Sequence, residues 1–243
     1  MDQTGTKPGP SKAAADSFSM RGAAALMALG QILHIAVTQL HAGGDANNHP
    51  AIFAAYAASD IWKAVHLGQF ASMAILLAGL LLLFRAAAVA GSSPICALGA
   101  ACAIAAFALY AVLQAVDGVA LKEAVDAWAA APGSDKAVRF ANAESLRWLE
   151  WGMRSYQAFA MGLALILAAA AVGKAHRGAR AIPVLIVLSG LAYLAQGWIA
   201  GREGFTGSMS VLIVAAWGFG LSWSIWLAAA RRPRTPETVL TST

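Results

Sequence analysis

The sequence predicts an all-α polytopic membrane protein with six transmembrane helices, both termini cytoplasmic and an external helical hairpin between spans 3 and 4. Three observations point there: the residue alphabet, six apolar segments of bilayer length, and basic residues gathered on alternate connections. Of 243 residues, 59% are hydrophobic and 12% charged, with mean hydropathy +0.64. Soluble domains carry about 25% charged residues. A hydrocarbon core of roughly 30 Å takes about 20 helical residues, and segments 21–42, 61–85, 96–118, 148–172, 181–200 and 208–230 meet that length.

In chain order, residues 1–19 are rich in Gly, Pro, Ser and Ala without a compact apolar run, so a disordered cytoplasmic tail is expected and not a signal peptide. The six-helix domain then runs over 20–230. Residues 43–60 open with Gly43, Gly44, Asn47, Asn48 and Pro50, all turn formers. Residues 86–95 and Gly173–Arg180 are short connections on the opposite side. Residues 119–147 look helical apart from Pro132, Gly133 and Ser134, so spans 3 and 4 are expected to continue past the bilayer and close near 132–133, with Ser134 as N-cap of the second arm. Residues 231–243 form a basic, then polar, tail whose Arg231, Arg232 and Arg234 anchor at headgroups.

The net charge of +5 is explained by topology and not by a nucleic-acid partner. Lys7, Lys12, Arg21, Arg85, Lys174, Arg177, Arg180, Arg231, Arg232 and Arg234 all fall on one side, which is cytoplasmic by the positive-inside rule. On the other side, Lys63, Lys122, Lys136, Arg139, Arg147, Arg154 and Arg202 are offset by acids that include Asp45, Asp117 and Glu150. Cys96 and Cys102, six residues apart, have no metal or disulfide spacing and are expected to be reduced and structural.

Polar residues inside such segments are candidate sites, because hydrocarbon offers them no partners. Spacings of 3, 4 and 3 place Gln31, His34, Thr38 and His41 on one face of span 1, and Arg147, Glu150, Arg154 and Gln157 on one face of span 4. Trp62, His66, Gln69 and Met73 form a stripe in span 2; Tyr110, Gln114 and Asp117 form another in span 3. The simplest arrangement turns all four stripes inward, toward the outer leaflet end. The candidate ligand-binding set is therefore His34, His66, Gln69, Gln114, Asp117, Arg147, Glu150, Arg154 and Gln157.

Antiparallel register about the 132–133 turn sets Asp117 opposite Arg147 or Trp148, Gln114 opposite Glu150 or Trp151, and Glu123 near Arg139, so an Asp117–Arg147 ion pair is expected. Arg154 has three readings: a local Glu150–Arg154 bridge, a clamp for a carboxylate or other anion, or a side chain reaching up to the interface. His34 reads as a neutral packing residue or a proton relay. His34 or His41 with His66 is a haem or metal alternative. A hydrolase site from His41, His66, Asp117 and Glu150 is disfavoured by the nearby Arg147 and Arg154. The sequence names no catalytic residue, no metal-ligand motif and no cofactor; P-loop, dinucleotide fingerprint and CxxC are all missing.

The second and fourth spans align at a fixed offset that pairs Gln69 with Gln157, Met73 with Met161 and His66 with Arg154. A duplication of hairpins produces such a pattern, and so does an Ala-rich alphabet. The spans lack paired Gly/Pro breaks and the inner half is poor in polar groups, which favours a closed-bottom pocket over a transport path.

The strings HAGGDANNHPAIFAAYAASDIWKAVHLGQF, LQAVDGVALKEAVDAWAAAP and AESLRWLEWGMRSYQ resemble those of a group of uncharacterised bacterial six-span integral membrane proteins of similar length, over most of residues 20–230. The resemblance implies a multi-pass bacterial plasma (inner) membrane protein and supplies no reaction. The leading expectation is a periplasm-facing pocket for a small polar or anionic ligand. The alternatives are a haem- or metal-binding membrane protein or enzyme, and an accessory subunit whose polar residues pack helices or meet a membrane partner. The lipid bilayer is the partner common to all three.

Overall fold

The computed structural model describes residues 12–89, 91, 93–175 and 180–230. All regular structure in them is helical: α1 (Lys12–Thr38), α2 (His49–Ala57), α3 (Trp62–Val89), α4 (Ser93–Ala115), α5 (Lys122–Ala130), α6 (Lys136–Ala175), α7 (Ala181–Glu203) and α8 (Gly207–Ala229). A π-helical turn, Val116–Leu121, joins α4 to α5 without a break. Among the described residues six helical stretches are long and apolar enough to cross a membrane, which agrees with the six expected spans. The longest, α6, has 40 residues. At 1.5 Å per residue it is about 60 Å long, twice a hydrocarbon core.

The long helices form a closed ring in chain order. α1 packs on α3, α3 on α4, α4 on α6, α6 on α7 and α7 on α8, and α8 returns to α1; α3 also touches α6 behind α4. Lipid gives helices no hydrophobic reason to associate, so close backbone approach has to supply the attraction. At the α1–α3 crossing, a Cβ on Gly30 would stand 2.5 Å from the Leu76 amide nitrogen, and one on Gly79 would stand 2.8 Å from that of Met27. At α6–α7, a Cβ on Gly162 or Gly190 would stand 2.7 or 2.8 Å from the other's carbonyl oxygen. Ring closure between α1 and α8 also uses polar bonds: Gln31 Nε2 donates to Trp217 O at 2.9 Å and Arg21 Nε to Ala228 O at 2.9 Å.

A second, smaller core of Ile52, Phe53, Tyr56, Trp62, Leu121, Val125 and Ala143 binds α2 and α5 to the start of α6 at one end of the ring. Several boundaries depart from expectation. α1 begins at Lys12, inside the segment expected to be a tail, and ends at Thr38, where Leu40 N and His41 N turn back onto Val37 O and Thr38 O. α2 was not anticipated. Its cap is Asn48, whose side chain accepts from Ala51 N at 3.3 Å, and Pro50 fits the first turn. Ser134 does not cap α6: its hydroxyl donates to Asp135 Oδ1 at 3.1 Å, while the amides of Asp135 and Lys136 bond Pro132 O. Cys96 and Cys102 are free thiols. The stretches 1–11, 176–179 and 231–243, with the basic cluster at 231–234, lie outside the described residues.

Candidate functional site

A cavity of about 600 Å³ occupies the ring at the α2 end. It is lined by all six long helices, the π turn, residues 42–46 and residues 205–207. Of the expected site residues, His34, Gln69, Gln114, Asp117, Arg147, Glu150 and Arg154 face it. His66 and Gln157 do not. They stand behind the wall, His66 on Asp117 and Gln157 on Arg154.

Along α1 and α3 the wall is a hydrogen-bond chain. Ser72 gives its hydroxyl proton to Gln69 O (2.9 Å), so at 3.2 Å it accepts from His34 Nδ1, and Nε2 of His34 keeps its lone pair. Thr38 Oγ1 donates to His34 O at 2.7 Å and accepts from Gln69 Nε2 at 3.2 Å. Gln31, on the same face one turn lower, is spent on the α8 seam.

Two ionic groupings differ from the expected ones. Asp117 does not pair with Arg147. Its Oδ2 lies 3.0 Å from His66 Nε2, and Arg147 instead pairs with Glu150 on its own helix, both side chains 3% exposed. Counting back from the 132–133 turn to residue 117 crosses the π turn. Its wider coil shifts every residue beyond it out of α-helical phase, which rotates Asp117 away from α6 and toward α3. Glu123, expected near Arg139, bonds Lys63 at 2.5 Å. Arg147 is further held by Ala46 O at 3.4 Å and lies over the rings of Tyr56, Trp151 and Phe205 at 5.3–5.6 Å.

With Glu150 engaged by Arg147, the local Glu150–Arg154 bridge does not form. Arg154 reaches amide oxygens: Gln196 Oε1 on α7 at 3.1 Å and Gln157 Oε1 at 3.4 Å. Gln196 in turn donates to Leu212 O on α8 at 3.2 Å, which fixes its oxygen toward the guanidinium. Buried polar atoms without a hydrogen bond collect around the cavity: Gln114 Oε1, Asp117 Oδ1, Arg154 Nε, Gln157 Nε2 and His66 Nε2.

His41 and His66 sit in an aromatic cluster with Trp62 and Tyr56. The His41 ring is 4.7 Å from Trp62, 5.8 Å from Tyr56 and 5.2 Å from His66. Burial pushes the His41 imidazole below its usual pKa and the Tyr56 hydroxyl above its own. A haem held between His41 and His66 does not fit, because rings this close, with Trp62 packed on both, leave no slot for a macrocycle. Three ligand atoms of His41, His66 and Asp117 do lie within 4.8 Å of one another.

The expected set omitted Tyr193 and Gln196 on α7, and Ser210, Ile213 and Trp217 on α8. Ser189, Tyr193 and Gln196, spaced 4 and 3, are a fifth stripe that the same helical count finds. The α8 wall carries no such signal, being mostly apolar.

The mouth is stitched by Asn47, whose Nδ2 donates to Glu203 O at 3.1 Å while its Oδ1 accepts from Phe205 N at 3.2 Å. Gly204 turns this loop at φ 70° with its Cα against the Trp151 ring. Comparison of the chain with family models, with curated proteins and with solved structures finds no match.

Proposed function

We propose that this is a multi-pass protein of the bacterial plasma membrane, both termini cytoplasmic and the α5–α6 hairpin external, that binds a small anion in its cavity. The observation that carries the reading is Arg154. Its guanidinium faces the cavity from the apolar part of α6, its partners are neutral amides, and among the described residues no carboxylate lies within ion-pair distance.

An arginine in the apolar part of a membrane helix is costly, by about 2.5–3.5 kcal/mol at the bilayer centre and less toward the interface, and a counter-anion offsets that cost. Arg147 shows the contrast, since Glu150 already neutralises it. The planar fork of Arg154 suits a carboxylate or phosphate. Gln69 and Gln114 supply directional bonds nearby, and Tyr110 and Tyr193 wall the cavity. The orientation rests on the basic residues of alternate connections, which set the cavity mouth toward the periplasm.

The test is thermal unfolding of detergent-purified protein against acetate, succinate and inorganic phosphate, with native mass spectrometry for a retained anion. At least one anion is expected to raise Tm in the wild type, and Arg154→Gln to abolish that rise. An equal rise in Arg154→Gln overturns the reading, as does a wild type that responds to none and retains none.

A further inference from the structure

We propose that His41, His66 and Asp117 form a divalent transition-metal site of the zinc class, built into the cavity wall with its free coordination positions turned to the cavity. The site stands on different residues from the anion reading and does not depend on it.

The tautomers are the first support. His41 Nδ1 lies 2.9 Å from Ala42 O and His66 Nδ1 lies 2.8 Å from Trp62 O. A carbonyl only accepts, so both Nδ1 atoms carry a proton, and Nε2 is in each ring the nitrogen that a metal would take. Metal-bound histidines are held in this way, with the second nitrogen donating to a backbone carbonyl. His66 Nε2 faces Asp117 Oδ2 at 3.0 Å, yet the contact is misaligned for a ring N–H bond, and both Nε2 and the second carboxylate oxygen are without a hydrogen bond. A buried carboxylate this close to an imidazole nitrogen calls for positive charge, which a proton on Nε2 or a bound cation supplies.

Placement is the second support. The three ligand atoms already lie within 4.8 Å of one another. A tetrahedral site with ligand bonds of roughly 2.0–2.2 Å has edges of about 3.4 Å. His41 lies in the turn after α1 and not on a helix, so it is the member whose shift would close this gap. Asp117 is fixed from its backbone, because the π turn presents its carbonyl to Trp62 Nε1 at 3.0 Å. Trp62 packs on both imidazoles and Tyr56 on that of His41, while His41 and Asp117 line the cavity. The Arg147–Glu150 pair leaves no net charge beside the site to repel a cation.

Chemistry narrows the metal. Two imidazoles and one carboxylate are a borderline set that favours zinc-like ions over calcium or magnesium, which take oxygen. Three protein ligands leave a position for water or a ligand atom, as in open and not closed zinc sites.

The experiment uses full-length protein purified in detergent, stripped with EDTA and titrated with zinc chloride, with bound metal counted by mass spectrometry and cobalt followed by visible absorption. Wild type is expected to take about one equivalent. His41→Ala and Asp117→Asn are expected to lose affinity by more than the roughly 10–100-fold seen on removing an outer-shell partner. Arg154→Gln, which tests the anion reading, is expected to bind zinc as wild type does. Asp117 and His66 are buried, so the partly buried His41 is the variant that decides if the others fail to fold. Monodisperse wild type that binds neither zinc nor cobalt overturns the proposal, and so does unchanged affinity in His41→Ala.

Discussion

Gly118 stands so close to His66 that a methyl group at Gly118 would sit 2.6 Å from His66 Cβ. The π turn therefore meets α3 backbone to side-chain root, not tip to tip, and this contact sets the distance from Asp117 to the His66 ring.

Gly118→Ala has no flexible neighbour to displace, since the atoms it meets are the Cβ and Cγ of His66. The expected cost is about 1–3 kcal/mol, the scale of overpacking. Thermal unfolding followed by tryptophan fluorescence measures it, and a wild-type Tm would contradict the packing described.

Glu150→Gln leaves Arg147 as a buried charge without its counter-charge, for an expected loss of about 3–5 kcal/mol. The double variant Arg147→Met with Glu150→Leu removes both charges and is expected to recover most of that loss. Denaturation of the single and double variants in one detergent decides it. Additive losses would mean that the two residues do not act as a pair.

Lys63 and Glu123 make a pair of similar length on the exposed surface, with side chains 57% and 63% exposed. Solvent and salt screen such a contact. Lys63→Ala is expected to leave Tm where it was, in contrast to Glu150→Gln.

Asn47→Ala removes the acceptor of the Phe205 amide and the donor to Glu203 O together. Faster hydrogen exchange in the segment containing Phe205 is the expected outcome, with protection of α7 unchanged. Equal exchange at Phe205 would show that another contact closes the mouth.

The number of spans and the inward-facing stripes were legible in the sequence, because bilayer length and helical phase are local properties. Gln69, Gln114 and Arg154 face the cavity as their spacing requires. Partner choice was less legible. Asp117 found His66 because a π turn, which has no firm residue signature, shifted the count that had matched it to Arg147. Arg154 lost Glu150 to a nearer arginine and took Gln196 from another helix. His41 appeared in the stripe of span 1, yet only the fold brings it against His66, because α1 ends early and the chain turns there.

The chain-ordered ring bears on how the protein is made. Each long helix up to α7 meets its sequence neighbour as synthesis proceeds, so most packing needs only short loops to close. The last helix does what none before it can. Until α8 arrives to take Gln31 at Trp217 and Arg21 at Ala228, every charged residue of the wall is present but the space they surround is open at one side. The chamber is thus a property of the finished chain, and a ribosome that stalls before α8 releases its parts without the vessel.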